Sequence, residues 1–223
     1  FWVARMILMT GYALGTIPFH TVYLHGTVRD AQGRKMSKSL GNGIDPIEIA
    51  EKFGADAGRM ALVVGNTPGT DTRISEDKIK AYKHFANKIW NITRFVLDNT
   101  DYSKNKNRPE LTDLDKEIIN KLNTVIQEVT ADLENNRLHL ASEKLYDYVW
   151  HNFADTILEE SKTIFSAGTE MEKTSRRYVL LSILETSLKM LHPFMPFITE
   201  EIWDILPKEG KTLLIVEPWP KPF

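Results

Sequence analysis

The sequence predicts a mainly α protein in which the end of a parallel α/β unit leads into an antiparallel helix bundle. Three observations carry this expectation. Beyond residue 69 the apolar residues recur with a helical period, a short β-rich run sits between an apolar helix and a glycine-rich loop, and Gly65-Asn66-Thr67-Pro68-Gly69 breaks the chain between the two patterns. The break places one unit at 1–68 and the second at 69–223.

Met6, Ile7, Leu8, Tyr12 and Leu14 form an apolar helical stretch that Gly15 and Pro18 punctuate. Thr21-Val22-Tyr23-Leu24-His25 then reads as a short buried strand. In open α/β sheets ligands lie beyond the carboxyl ends of the strands, which directs attention to the loop from Gly26 to Asn42. That loop must end near Ile44, because Asp45, Pro46 and Glu48 have the types and spacing of an N-cap, a first helical residue and the reciprocal carboxylate of a capping box. A further helix is expected over 55–64.

In the second unit, 76–99 and 138–160 read as helices. Leu114, Ile118, Leu122, Val125, Val129 and Leu133 form a core stripe, and Leu181, Leu184, Leu188 and Leu191 form another. Residues 102–108 and 166–169 read as connections. His192-Pro193-Phe194-Met195-Pro196-Phe197 bends one helix into the next, an architectural role.

Composition bounds the function. With 42% hydrophobic residues over 223 positions the chain can bury a sizeable core, and no run approaches the roughly 20 apolar residues of a membrane span. It has no cysteine, which fits a reducing compartment, so a soluble, cytoplasmic protein is expected. The first residue is Phe1 rather than methionine, consistent with a piece of a longer protein. The net charge of −2 conceals a gradient: residues 73–108 carry nine Lys/Arg against four Asp/Glu, whereas 109–223 carry twelve against twenty. A polyanion could therefore engage the middle of an acidic chain.

Two loci carry chemistry. Lys35 and Lys38 stand three apart, with Ser37 between them and Ser39 after, and Gly33, Gly41 and Gly43 flank the group. Two ammonium groups on a hinged loop can close on phosphate charge that develops during a reaction. On the helix expected over 76–99, Ile79, Tyr82, Ala86, Ile89, Thr93 and Val96 form a packing stripe. Lys80, Lys83, Asn87, Asn91 and Arg94 form a polar stripe beside it, with Lys88 at its margin. Amides and guanidinium can bond splayed bases, lysines can neutralise phosphates, and Phe85, Trp90 or Phe95 could stack on a base wherever exposed. No metal-ligand cluster is identifiable.

The string Lys35-Met36-Ser37-Lys38-Ser39 resembles the KMSKS motif of class I aminoacyl-tRNA synthetases. His25-Gly26-Thr27-Val28-Arg29-Asp30 before it and Leu40-Gly41-Asn42-Gly43-Ile44-Asp45-Pro46 after it are similar to the valyl, isoleucyl and leucyl subgroup. Phe1-Trp2-Val3-Ala4-Arg5-Met6 and Val28-Arg29-Asp30 favour the valyl pattern, with the isoleucyl one as the alternative. At lower specificity the resemblance reaches the end of the chain. It implies the last part of a class I Rossmann-like domain followed by an anticodon-binding helix bundle, in a monomeric enzyme that uses ATP with Mg2+ to join valine to its tRNA. It implies ATP binding at Lys38, Lys35, Ser37 and Ser39, with Lys38 and Lys35 catalytic. Trp2 would lie in the amino-acid pocket, and Lys80, Lys83, Asn87, Lys88, Asn91 and Arg94 would meet the anticodon arm. The family's other ATP motif, HIGH, does not occur in this sequence, so these residues alone are expected to be inactive. A noncatalytic tRNA-binding module is the remaining alternative.

Overall fold

The structure is a computed structural model that describes residues 1–101, 108–208, 210 and 212–223, with Lys38 described in its backbone alone. Most of the connection expected over 102–108 lies outside the described residues.

The chain opens with α1 (Trp2–Leu14), which Gly15 ends in a left-handed conformation while donating its N–H to the Gly11 carbonyl. None of its residues is buried. The segment expected as a strand, 21–25, runs without ladder partners and stays exposed. A strand needs a neighbouring backbone, and here the Gly69 N–H to the Leu24 carbonyl (2.8 Å) is the backbone bond that meets it. Pairing begins a few residues later. β1 (Val28–Arg29) lies parallel to β2 (Thr72–Arg73), with Val28 opposite Thr72. Gly26 admits this approach, since a Cβ there would sit 1.9 Å from the Thr70 carbonyl oxygen.

After β1 the chain reverses at Asp30-Ala31-Gln32-Gly33. Gly33 donates its N–H to the Asp30 carbonyl (2.9 Å), and Asp30 donates to the Arg34 carbonyl (3.0 Å). Gly33 at φ 82 supplies the positive φ that such a three-residue hairpin needs. A single 3-10 turn (Lys38–Leu40) precedes α2 (Pro46–Phe53). Asp45 caps α2 by accepting from the Ile47 N–H (2.8 Å), with Pro46 in the first turn as expected. Among the described residues Glu48 returns no bond to the cap, so the start rests on Asp45 alone. Then comes α3 (Ala55–Val63).

Beyond β2 come α4 (Glu76–Asn99), α5 (Asp113–Glu134), α6 (Leu138–Asp147), α7 (Glu159–Ala167), α8 (Glu170–Leu191) and α9 (Pro196–Ile205). The helix expected over 138–160 continues to Ala167. Its middle, Tyr148–Leu158, widens to π geometry, in which the Thr156 hydroxyl donates to the His151 carbonyl five residues back. α8 carries buried residues around its whole circumference and is the central helix. On α5 the stripe is realised from Ile118 onward, but Leu114 is 48% exposed and Asp115 faces the core in its place.

Phe85, Leu122, Phe153, Leu184 and Trp203 belong to one large core that also includes Met60 of α3. A smaller core of Ala57, Ala61, Ile74 and Ile79 lies beneath the lysine loop, with Val28, Met36, Ile44 and Phe53 packed on it. Tyr82 packs against both. The loop is thus seated on α3 and α4, across the glycine break.

Candidate functional site

One buried carboxylate organises the lysine loop. Asp30, 7% exposed, accepts through Oδ1 from the backbone N–H groups of Gln32 (3.1 Å) and Arg34 (2.8 Å). Through Oδ2 it accepts from Arg34 Nε (2.8 Å) and Asn42 Nδ2 (2.9 Å). Asn42 then reaches across the loop, where its Oδ1 accepts from the Ser37 N–H (3.0 Å). Both ends of the segment 34–42 are therefore tied to a single pair of side chains. Arg29, opposite Lys35 in an antiparallel bridge, is itself held by Asp71 and by the Gly33 carbonyl.

The Asn42 amide, followed by the Arg34 backbone and guanidinium, lowers the Asp30 pKa to about 2 against the opposing effect of burial. The folded value lies below the unfolded one, about 3.9, so the stability contribution is complete above that pH and disappears as pH falls through about 2. The protection factor of the Arg34 amide, followed by NMR and corrected for intrinsic exchange, should fall relative to that of Ile79 as pH drops from 5 to 2 and stay constant from pH 5 to 8.

The loop presents Lys35, Ser39 and a half-buried Ser37 to solvent. The Ser37 and Ser39 hydroxyls lie 3.2 Å apart, and Ser37 Oγ accepts from the Leu40 N–H (3.3 Å). Lys38 opens the 3-10 turn in this group, and its side chain lies outside the described residues. An exposed Lys35 ammonium and two hydroxyls on one loop can receive phosphate oxygens. Trp2, 74% exposed on α1, is not brought to this loop by any described contact; its ring carries the Arg5 guanidinium at 5.7 Å. Among the described residues no group of three or more His, Cys, Asp or Glu side chains could hold a metal ion.

The polar stripe of α4 is exposed at Lys80, Lys83, Asn87, Asn91 and Arg94, while Ile79, Ile89, Thr93 and Val96 are buried behind it. Lys83 donates to the Lys52 carbonyl (3.0 Å), leaving the side chains of Lys80, Asn87, Asn91 and Arg94 without an intramolecular hydrogen bond among the described residues. Lys88 is engaged: it pairs with Asp155 (2.8 Å) and lies 5.3 Å from the centroid of the Trp150 ring. Phe85 is sealed in the core and cannot stack on a base, and Trp90 and Phe95 are half-buried against the same core. The helical period places Phe85 on the packing side between Tyr82 and Ile89.

Sequence reasoning did not single out the joint between α3 and the α8–α9 turn. Asp56 accepts from the N–H groups of Phe197 (3.2 Å) and Ile198 (2.7 Å), capping α9, which has no side-chain cap of its own. One turn along, Arg59 donates to the carbonyls of Pro193 (2.9 Å) and Phe194 (3.2 Å). His192 meets Thr199 there through Nδ1 (2.8 Å), which fits its architectural reading. Asp56→Ala should lower stability by about 1–2 kcal/mol, as loss of a helix cap does. Asp56→Asn keeps one of the two acceptors but turns its amide nitrogen on the other N–H, so it should also lose stability in urea unfolding, and an unchanged stability in Asp56→Ala would refute the cap.

Comparison with known proteins adds relatives to this geometry. Residues 1–75 match the family described as tRNA synthetases class I (I, L, M and V), and residues 115–223 match the anticodon-binding domain of tRNA ligase. The chain is 46% identical over 99% of its length to valine–tRNA ligase of Clostridium acetobutylicum, and 48% identical to that of Carboxydothermus hydrogenoformans. It spans 25% of the length of each. Among solved structures it is similar to a LeuRS from Agrobacterium radiobacter K84 in a ternary complex with tRNA and LeuAMS, at a TM-score of 0.77 and 25% identity, over 97% of this chain and 26% of that one. The fold also resembles a Mycobacterium tuberculosis methionyl-tRNA synthetase in complex with methionyl-adenylate, at a TM-score of 0.69 and 24% identity, over 83% of this chain and 38% of that one.

Proposed function

Because the chain belongs to the class I tRNA synthetases, we propose that the whole protein joins valine to its tRNA and that these residues supply its ATP loop and a surface for the anticodon arm. The valine carboxylate attacks the α-phosphorus of ATP, pyrophosphate leaves, and the tRNA 3′ end then takes the valyl group from the adenylate as AMP departs. Lys35 and Lys38 neutralise the charge that builds on the departing pyrophosphate, and the Ser37 and Ser39 hydroxyls bind its oxygens. The observation that carries this reading is the pair of lysines on a loop whose two ends are fixed by Asp30 and Asn42. Magnesium would arrive with the ATP phosphates, since the described residues offer it no ligand cluster, and no step here depends on it.

On α4, Lys80, Lys83 and Lys88 would meet phosphates while Asn87, Asn91 and Arg94 face bases. The Lys88–Asp155 pair must open or rotate to take part, which ranks Lys88 below its neighbours. Trp2 would line the amino-acid pocket once further parts of the catalytic domain surround α1. The unit boundary proposed at residue 68 and a monomeric, cytoplasmic enzyme complete the reading.

Amino-acid-dependent exchange between ATP and pyrophosphate tests it. The protein in its full natural length should exchange with valine and far less with isoleucine, and residues 1–223 alone should not exchange. Equal exchange with isoleucine would overturn the valine assignment. The exposed α4 stripe favours a second reading, in which residues 69–223 bind the anticodon arm without catalysis. In that case the logarithm of affinity falls with the logarithm of salt by about 0.7–0.9 per phosphate contact. Salt-independent binding would refute the stripe in either reading.

A further inference from the structure

The geometry points to Asp30 and Asn42 as positioning residues for adenylation: their side chains form one clamp that holds the lysine loop in its reactive register, a role that rests on the functional reading above.

The clamp joins three parts of the chain. Asp30 directly follows β1, the strand fixed to β2 across the chain, so its carboxylate is referenced to that paired strand. Its Oδ1 fixes the entry to the loop at the Arg34 N–H, and its Oδ2 receives the Asn42 amide from the exit. Asn42 passes the constraint inward by accepting from the Ser37 N–H, in the middle of the lysine-serine group, while its amide approaches the Lys35 carbonyl (3.4 Å). No other side chain among the described residues reaches the Ser37 N–H. From beneath, Met36 packs on Ala57, Ala61, Ile74 and Ile79, so the backbone is held from both sides. Neither clamp residue presents its polar end to a phosphate, because the Asp30 oxygens are occupied by four donors. Their effect must pass through the loop they hold. The glycines at 33, 41 and 43 then flex around a fixed centre rather than disordering the whole segment.

Polarity gives the test. In Asp30→Asn the new amide faces two donors, Arg34 Nε and Asn42 Nδ2. In Asn42→Asp a second carboxylate faces Asp30. Combining Asp30→Asn with Asn42→Asp restores one donor against one acceptor across the clamp, keeps the Ser37 bond and preserves net charge. In the full-length protein each single variant should lower the rate constant for valine-dependent pyrophosphate exchange about 10²-fold, the scale of a misplaced reacting group. Valine KM should change little, whereas the melting temperature of Asp30→Asn should fall, because that variant loses the stabilising carboxylate held by four donors. The double variant should recover about tenfold or more, because contacting residues couple. Full rates in both singles, or a double worse than either single, would overturn the proposal.

A second measurement separates this from failure of the functional reading. In the wild-type protein the Ser37 and Arg34 amides should exchange with deuterium more slowly than that of Ser39, and Asn42→Asp should erase the difference at Ser37. If these amides are protected but the wild-type protein shows no valine-dependent exchange, the functional reading fails and the clamp is structural only. Unprotected amides refute the clamp itself.

Discussion

Arg176→Met will cost about 3–5 kcal/mol, the usual price of removing one partner from a buried ion pair. Both groups are sealed from water: Arg176 is 0% exposed and Asp115 is 1% exposed. Arg176 Nε donates to Asp115 Oδ1 (2.6 Å), Nη1 donates to Ser161 Oγ (3.1 Å), and the Ser175 hydroxyl donates to Asp115 Oδ2. Ser175 Oγ in turn accepts from the N–H of Thr112, the residue that caps α5. One guanidinium therefore links the start of α5, the start of α8 and α7. Methionine fills the space of the arginine stem but leaves Asp115 charged, buried and without its cation. The loss is a large part of a stability that for single domains lies around 5–15 kcal/mol. Combining Asp115→Leu with Arg176→Met removes both charges, so it should recover most of the loss. Urea unfolding of the two variants decides the matter. If Arg176→Met costs under about 1 kcal/mol, the pair is not desolvated in solution and this account of the core is wrong.

That ion pair also marks where sequence reasoning stopped. The helices beyond β2 were legible because their core positions recur at helical spacing, and α4 runs over 76–99 as expected. At the start of α5 the same logic selected Leu114 over Asp115, since apolar type outweighs phase when a carboxylate's partner lies 61 residues away. The start of α8 carried a local signal that was not used: Thr169 and Glu172 form a reciprocal capping box, Thr169 N–H donating to Glu172 Oε2 and Glu172 N–H donating to Thr169 Oγ1. In the first unit, Thr21 to His25 has strand composition without a neighbouring strand, and composition alone cannot supply ladder partners.

The loop was found through its lysines, whereas what holds it was not. Asp30 and Gly33 do carry a turn signature, Asp at the first and Gly at the fourth position, from which the hairpin could have been read. The bond from Asn42 back to Asp30 spans twelve residues and has no periodicity to betray it. The joint made by Asp56 and Arg59 on the α8–α9 turn spans more than 130 residues and was invisible for the same reason. Its consequence is architectural: α3 reaches both the core beneath the lysine loop and the turn before α9, so the loop's seat and the helix bundle share one helix.

Lys38→Ala in the full-length protein should lower the rate constant of valine-dependent pyrophosphate exchange about 10²-fold to 10³-fold, the cost of one preorganised donor at developing charge. The argument begins with the position of Lys38 at the first residue of the 3-10 turn Lys38–Leu40, on a backbone that Ser37 anchors to Asn42. The backbone at Lys38 therefore starts from a fixed point. An interaction that forms mainly in the transition state lowers the rate constant while leaving KM for ATP nearly unchanged. A lysine that bound ground-state ATP equally well would instead raise KM alone. Lys38→Arg should recover only part of the rate, because the planar guanidinium keeps the charge but not the compact ammonium geometry. Lys80→Ala on α4 provides the contrast: it should weaken tRNA binding and reduce the salt slope by about one contact while leaving pyrophosphate exchange without tRNA untouched. If Lys38→Ala raises KM for ATP without lowering the rate constant, the loop is a binding element and its assignment to the leaving pyrophosphate fails.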